Sequence, residues 1–166
     1  DVGLSSANRK ISPLTEEEEI ERLGLAMDIR NGVHKEVIFS IETRYASVAE
    51  KALKGGWDIV NDICGFADTE MPNICTKYDA AVVKMAGSQD LGRPGALENI
   101  EDIYAELSRN LTNKTIIDPA FGGWSEGKTL ELDRETFRGL RSFCELGPPV
   151  LISVNMDKEE VGHTFE

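Results

Sequence analysis

Short apolar runs alternate along the chain with longer stretches whose apolar positions recur at helical spacing. Residues 37–41 (VIFSI), 57–60 (WDIV), 80–83 (AAVV), 115–117 (TII) and 149–154 (PVLISV) are short and rich in β-branched residues. Each reads as a strand buried on both faces, the signature of a parallel sheet. The opening Asp1-Val2 reads as the end of a sixth strand. Between them, residues 15–30 open with Thr15 three positions before Glu18, a capping box, and the acidic run 16–19 suits the positive end of a helix. Residues 46–53 place Val48, Ala52 and Leu53 on one face and end at Gly55-Gly56. A weaker helix is predicted over 71–78 and an amphipathic one over 96–109, through Leu97, Ile100, Ile103, Tyr104 and Leu107. A last helix is expected to be capped by Asp133, with Phe137, Leu140 and Cys144 inward.

Repeated βα units with no antiparallel interruption define an α/β fold with right-handed crossovers. Strand after strand ends on a polar residue: Asp1, Glu42, Asn61 with Asp62, Lys84, Asp118 and Asn155. In a (β/α)8 TIM-type barrel these ends meet at one mouth, where the active site is built, whereas an open doubly wound sheet gives them no common purpose. The barrel is therefore the expected architecture. A barrel needs about 250 residues and eight strands, so 166 residues with about six βα units are expected to form part of one. Residues 1–166 are read as a single domain, a fragment lacking the first strand and the last βα unit.

Charge narrows the partners. Eighteen Lys and Arg against 30 Asp and Glu give a formal charge of -12, which argues against non-specific binding to nucleic acid or an anionic membrane. No apolar run approaches the roughly 18 residues of a membrane span, and no basic segment followed by an apolar one marks a secretory signal. Cys64, Cys75 and Cys144 lack CxxC spacing, and only His34 and His163 are available to join them. Reduced thiols in a cytoplasmic protein fit this pattern better than a zinc site or a disulfide framework.

Four segments, in order, are similar to the dihydropteroate synthase family of pterin-binding barrels. DVGLSSANRK followed by an acidic helix start resembles the family's second-strand segment. SIETR resembles its Ser-Ile-Asp-Thr strand, DIVNDICG its Ile-Asn-Asp strand ending in Gly, and IIDPAFGGWSEGKT its Asp-Pro-Gly loop ending in Lys-Thr. The resemblance covers residues 1 to about 162. It implies that Glu42, Asn61 and Asp118 hold a pterin, with Met85 and Phe121 packing on the ring. Read alone, Asp118 is a turn cap before Pro119. As a pterin ligand its carboxylate would accept the paired N–H groups of the ring edge, and the Asn61 amide would offer both a donor and an acceptor. Asp62 is expected to cap the turn to Cys64-Gly65, and Phe121 and Trp124 to form an aromatic lid around Gly122-Gly123.

The anion end departs from the family. Where the family has Thr and Arg, this chain has Ala7-Asn8 with Arg9 one position later. Where the family has Ser-Arg-Lys, it has Asn155-Met156-Asp157 and then Lys158. Arg9, Lys84, Lys128 and Lys158 are the candidates for meeting a diphosphate. The resemblance implies a transferase joining p-aminobenzoate to a dihydropterin diphosphate with Mg2+. The alternatives are a pterin-dependent methyltransferase acting with a corrinoid protein and a non-catalytic pterin-binding barrel. It also implies a small-molecule pterin partner and admits a homodimer.

Overall fold

The structure is a computed structural model that describes residues 1–4, 12–32 and 36–153. Five strands, β1 (Val2–Gly3), β2 (Ser40–Glu42), β3 (Ile59–Asp62), β4 (Ala81–Met85) and β5 (Thr115–Asp118), form one sheet. Their order in space is their order in sequence, and every pairing is parallel. The intervening helices are α1 (Glu16–Asn31), α2 (Ala46–Lys54), α3 (Met71–Lys77) and α4 (Ile100–Leu107), and α5 (Leu130–Arg138) and α6 (Leu140–Cys144) follow β5. A doubly wound sheet reverses direction at a switch point. Here every step goes the same way, as in the wall of a barrel.

The pleat sorts the strand residues onto two faces. Val2, Ile41, Val60, Val82 and Thr115 form one row across the sheet, and Asp62, Lys84 and Ile117 lie in the next row of the same face. This face is covered by helices, and Ile41, Val60, Val82 and Ile117 are fully buried. Burying such a side chain stabilises by about 1.5–3 kcal/mol, so this layer anchors the fold. The opposite face carries the row Gly3, Glu42, Asn61, Val83 and Ile116, with Met85 beside Asp118 one pleat further on. Glu42, Asn61 and Ile116 on that face are only half-buried.

The helices follow local signals. At α1 the Glu18 N–H donates to Thr15 Oγ1 (3.3 Å) and the Thr15 N–H donates to Glu18 Oε2 (2.7 Å), completing the capping box. α2 ends at a glycine pair whose members act differently. Gly56 takes a left-handed φ of 85°, whereas a Cβ on Gly55 would stand 1.8 Å from Met27 Cε of α1. Gly55 thus leaves room for the end of the Met27 side chain.

Several expected boundaries move. Val37 and Ile38 are 44% and 71% exposed, and β2 begins at Ser40. Trp57 precedes β3 and packs edge-on against Phe39 at 5.4 Å within the helix-covered core. Of the expected strand at 149–154, the described residues show one parallel bridge, Val150 to Ile117. Two hydrogen bonds support it, Ile117 N–H to the Pro149 carbonyl (2.9 Å) and Leu151 N–H to the Ile117 carbonyl (2.8 Å). Thr129, not Asp133, caps α5, accepting from the Leu132 N–H at 3.2 Å. Phe137 and Cys144 are exposed, and Leu132, Thr136 and Phe143 occupy the inward positions.

Two buried ion pairs tie helices to the sheet. Arg44, just after β2, meets Glu19 of α1 at 2.9 Å and donates to the Leu14 and Leu91 carbonyls. Lys84 of β4 meets Glu106 of α4 at 2.7 Å and donates to the Glu106 and Arg109 carbonyls at 2.6 and 2.9 Å. Removing one partner of such a pair costs about 3–5 kcal/mol, whereas replacing both with apolar groups is often neutral. Glu106→Leu is therefore expected to lower unfolding stability by that order. Lys84→Met with Glu106→Leu should recover most of the loss in urea denaturation. A double variant no more stable than Glu106→Leu alone would contradict this role for the pair.

Candidate functional site

The open face of the sheet brings together most of the polar strand ends. Glu42 and Asn61 are register partners, and the Asn61 amide donates to the Asp1 carboxylate at 3.2 Å. Asp118 pairs with Met85 across β4 and β5. From Asn61 to Asp118 is two strand spacings, about 9.5 Å across the sheet, and one pleat of about 6.6 Å along it. A flat ligand lying against this wall would reach both side chains.

Burial shapes the acids. Desolvation pushes the Glu42 carboxyl up to about 7, reinforced by the negative charge of Glu19. Asp118 is 7% exposed, and burial raises its carboxyl to about 6 against the lowering effects of the Ala120 N–H and Lys128. The Ala120 N–H donates to Asp118 Oδ1 at 2.7 Å, so Asp118 also caps its own turn. That turn places Ala120 at a φ of 59°, a left-handed position. The second carboxylate oxygen leaves Asp118 able to serve a ligand as well.

Asp62 points the other way and is fully buried. It accepts from the Cys64 N–H (2.7 Å) and the Phe66 N–H (3.1 Å), the turn-capping role expected from sequence. Burial raises its carboxyl to about 7.

The other candidates divide. Met85 is buried with Ile63, Cys64, Ala96 and Ala120, with Trp124 packed against them, at the strand ends. Phe121 is buried, and the Trp124 indole N–H donates to the Phe121 carbonyl at 2.7 Å, which draws this segment into a tight turn. Lys84 is a correction: it leaves β4 on the helix-covered face and is buried against Glu106 and the Phe66 ring, so it is not placed to meet an anion at the open face. Burial lowers its pKa, an effect that its hydrogen bond to Glu106 opposes. Lys128 is not an exposed lysine. Its side chain is buried and stands 2.9 Å from Asp133 of α5. Arg9 and Lys158, with Ala7, Asn8, Asn155, Met156 and Asp157, lie outside the described residues.

Sequence reasoning misses Arg44 and the role of Asp133. A lone Arg after a strand carries no spacing signal for a buried hub. A capping Asp and an ion-paired Asp look alike in a string of letters. Among the described residues, no group of three His, Cys, Asp or Glu side chains could hold a metal ion. The Mg2+ expected from the resemblance therefore has no holder of that kind among them.

A singly wound parallel sheet, helix-covered on one face and carrying acids and an amide on the other, defines the wall of an α/β barrel. The chain belongs to the pterin binding enzyme family, whose pattern it matches over residues 1–157. It is 30% identical over 164 residues to dihydropteroate synthase of Clostridium beijerinckii, covering 93% of this chain and 59% of that protein. The chain thus spans about three-fifths of the length of that curated relative. Dihydropteroate synthase of Anaplasma phagocytophilum, solved with bound 6-hydroxymethylpterin-monophosphate, is similar in structure. Its TM-score is 0.70 at 28% identity, covering 89% of this chain and 64% of that one. The Thermus thermophilus enzyme in complex with 4-aminobenzoate gives 0.69 at 29% identity, covering 90% and 60%.

Glu42, Asp62 and Asp118 all have carboxyl values raised above those of the unfolded chain. Each therefore contributes stability that is fully present below the unfolded value and is lost as pH rises through about 6 to 7. The urea midpoint should fall between pH 5 and pH 8, and Glu42→Gln should remove part of that slope. A midpoint that rises over this range would contradict the burial of these acids.

Proposed function

We propose that this chain supplies the pterin-recognising part of a dihydropteroate synthase-type transferase, joining p-aminobenzoate to a dihydropterin diphosphate in folate-type biosynthesis. The observation that carries the reading is the placement of Glu42, Asn61 and Asp118 on the one open face of the sheet. Family membership and relatives solved with a pterin or 4-aminobenzoate support it.

In this reading Asp118 accepts two N–H groups of the pterin edge. Its burial strengthens that charge-assisted contact, and its value of about 6, raised by burial, leaves the carboxylate mostly ionised at neutral pH. Asn61 meets a second edge of the ring and Met85 offers apolar contact. Glu42, with a value of about 7, can donate or accept. The chain's contribution is to fix the pterin so that its methylene carbon faces the incoming aromatic amine. Arg9 and Lys158 remain the candidates for the leaving group, whose developing charge needs cations. Mg2+, if bound, would add positive charge at the diphosphate, and no step here depends on it. Cys64 and Cys75, buried and unbridged, support a cytoplasmic setting, and no helix among the described residues is long and apolar enough to cross a membrane.

A second reading, a barrel that binds a pterin without turnover, is favoured by one observation. Lys84 and Lys128, two of the cations expected at the diphosphate, are buried in ion pairs. Comparing the pterin alcohol with its diphosphate separates the two readings. A synthase should bind the diphosphate at least tenfold more tightly, a gap of about 1.4 kcal/mol. Equal affinities would move the chain to the second reading.

Both readings require pterin binding. Titration calorimetry should show a reduced pterin binding, and Asp118→Asn should weaken it by about 1.5–3 kcal/mol, the range for a hydrogen bond to a charged group. Unchanged affinity in that variant would remove Asp118 from the site.

A further inference from the structure

The Asp118 carboxylate stands at the root of a loop, residues 119–129, that closes on itself through a buried charge pair. Lys128, the next-to-last residue of the loop, has a side chain with no exposure and an ammonium 2.9 Å from Asp133 Oδ1. The other Asp133 oxygen accepts from the Gly122 N–H at 2.9 Å. Asp133, in the first turn of α5, thus grips both limbs of the loop: Gly122 through the backbone and Lys128 through charge. The Lys128 backbone N–H also donates to the Ser125 carbonyl at 3.2 Å, and its ammonium lies 5.9 Å from the centre of the Phe121 ring.

The Lys128 ammonium stands at charge-assisted hydrogen-bond distance from the Asp133 carboxylate. Other charges stand further along the same wall. Asp62 and Lys84 lie on the helix-covered face of β3 and β4, Glu42 lies on β2, and the Glu98 side chain stands against Gly127.

We propose that the Lys128–Asp133 pair is a positioning device for ligand recognition. It holds the β5–α5 loop in the form that presents Asp118 beside the open face of the sheet. Lys128 is thereby moved from the diphosphate end of the site to the support of its ring-binding end. The inference rests on the pterin reading only for the identity of the ligand. The burial-driven rise of the Asp118 carboxyl, opposed by Lys128, agrees with it.

The test is a carbon-13 NMR titration of the Asp118 carboxyl in the intact protein without ligand, with Asp118→Asn identifying the signal. Lys128→Met should raise the titration midpoint, because the clasp on the loop is lost together with a charge that holds the carboxyl down. Lys128→Arg should restore the native midpoint, which a merely space-filling role would not require. An unchanged midpoint in Lys128→Met overturns the proposal. Should that variant fail to fold, hydrogen exchange of the Gly122 amide in the native protein decides the matter. Protection by the Asp133 acceptor is expected, and exchange at the rate of an open amide overturns the loop clasp. Because neither measurement uses a ligand, their failure leaves the pterin reading standing. A native titration in a protein that binds no reduced pterin would instead remove the pterin reading alone.

Discussion

The pleat of a parallel sheet whose strands lie in sequence order is the constraint on which the rest of the molecule depends. Once Ile41, Val60, Val82 and Ile117 are committed to the helix-covered side, their neighbours have no choice. Glu42, Asn61 and Asp118 must leave the sheet on the other face. A slip of one residue at β2 or β5 would carry an apolar anchor out and a carboxylate into the core. The same burial that stabilises the fold therefore fixes the face from which these three side chains leave the sheet.

This arrangement has an electrostatic cost. Carboxyls on the open face and the fully buried Asp62 resist ionisation, so each of them contributes less stability at neutral pH than at mildly acidic pH. Cations placed behind the sheet and beside the loop temper this. Lys84 sits across the sheet from the site and lowers the Asp62 carboxyl, while Lys128 acts on Asp118. Neither lysine is spent at the surface. In an acidic chain of net charge -12, the few buried cations set the local fields, and Arg44 serves in the same way where it joins α1, the end of β2 and the loop after β4.

Much of this is legible in the sequence. The short apolar runs mark the strands of the sheet, because Val83 and Ile116 on the open face stand beside the buried apolar residues of the helix-covered one. The capping box at Thr15 and the apolar spacing of α2 and α4 locate those helices. Boundaries are less legible. Val37 and Ile38 look like strand and are exposed, because backbone pairing, not side-chain type, decides where β2 begins. Phe137 and Cys144 read as inward only on one continuous helix. The chain instead turns at Gly139 between α5 and α6, which changes the phase of the apolar face. At the site, Asn61, Asp62 and Asp118 stand out because they end apolar runs. Lys84 ends one too, yet it lies one residue before Met85 and so falls on the opposite face. Parity within a strand is invisible until its register is known.

The central claim is that one open face of the sheet binds one flat polar ligand between Asn61 and Asp118. A crystal structure of the protein with a reduced pterin tests this most directly. The account predicts the ring edge within hydrogen-bond distance of the Asp118 carboxylate, with Asn61 meeting the ring on the same face. A cavity of about 780 Å³ lies away from that face, lined by Phe66, Asn73, Thr76, Asn110 and Thr112. A pterin bound there, with Asp118 and Asn61 left to water, would contradict the account.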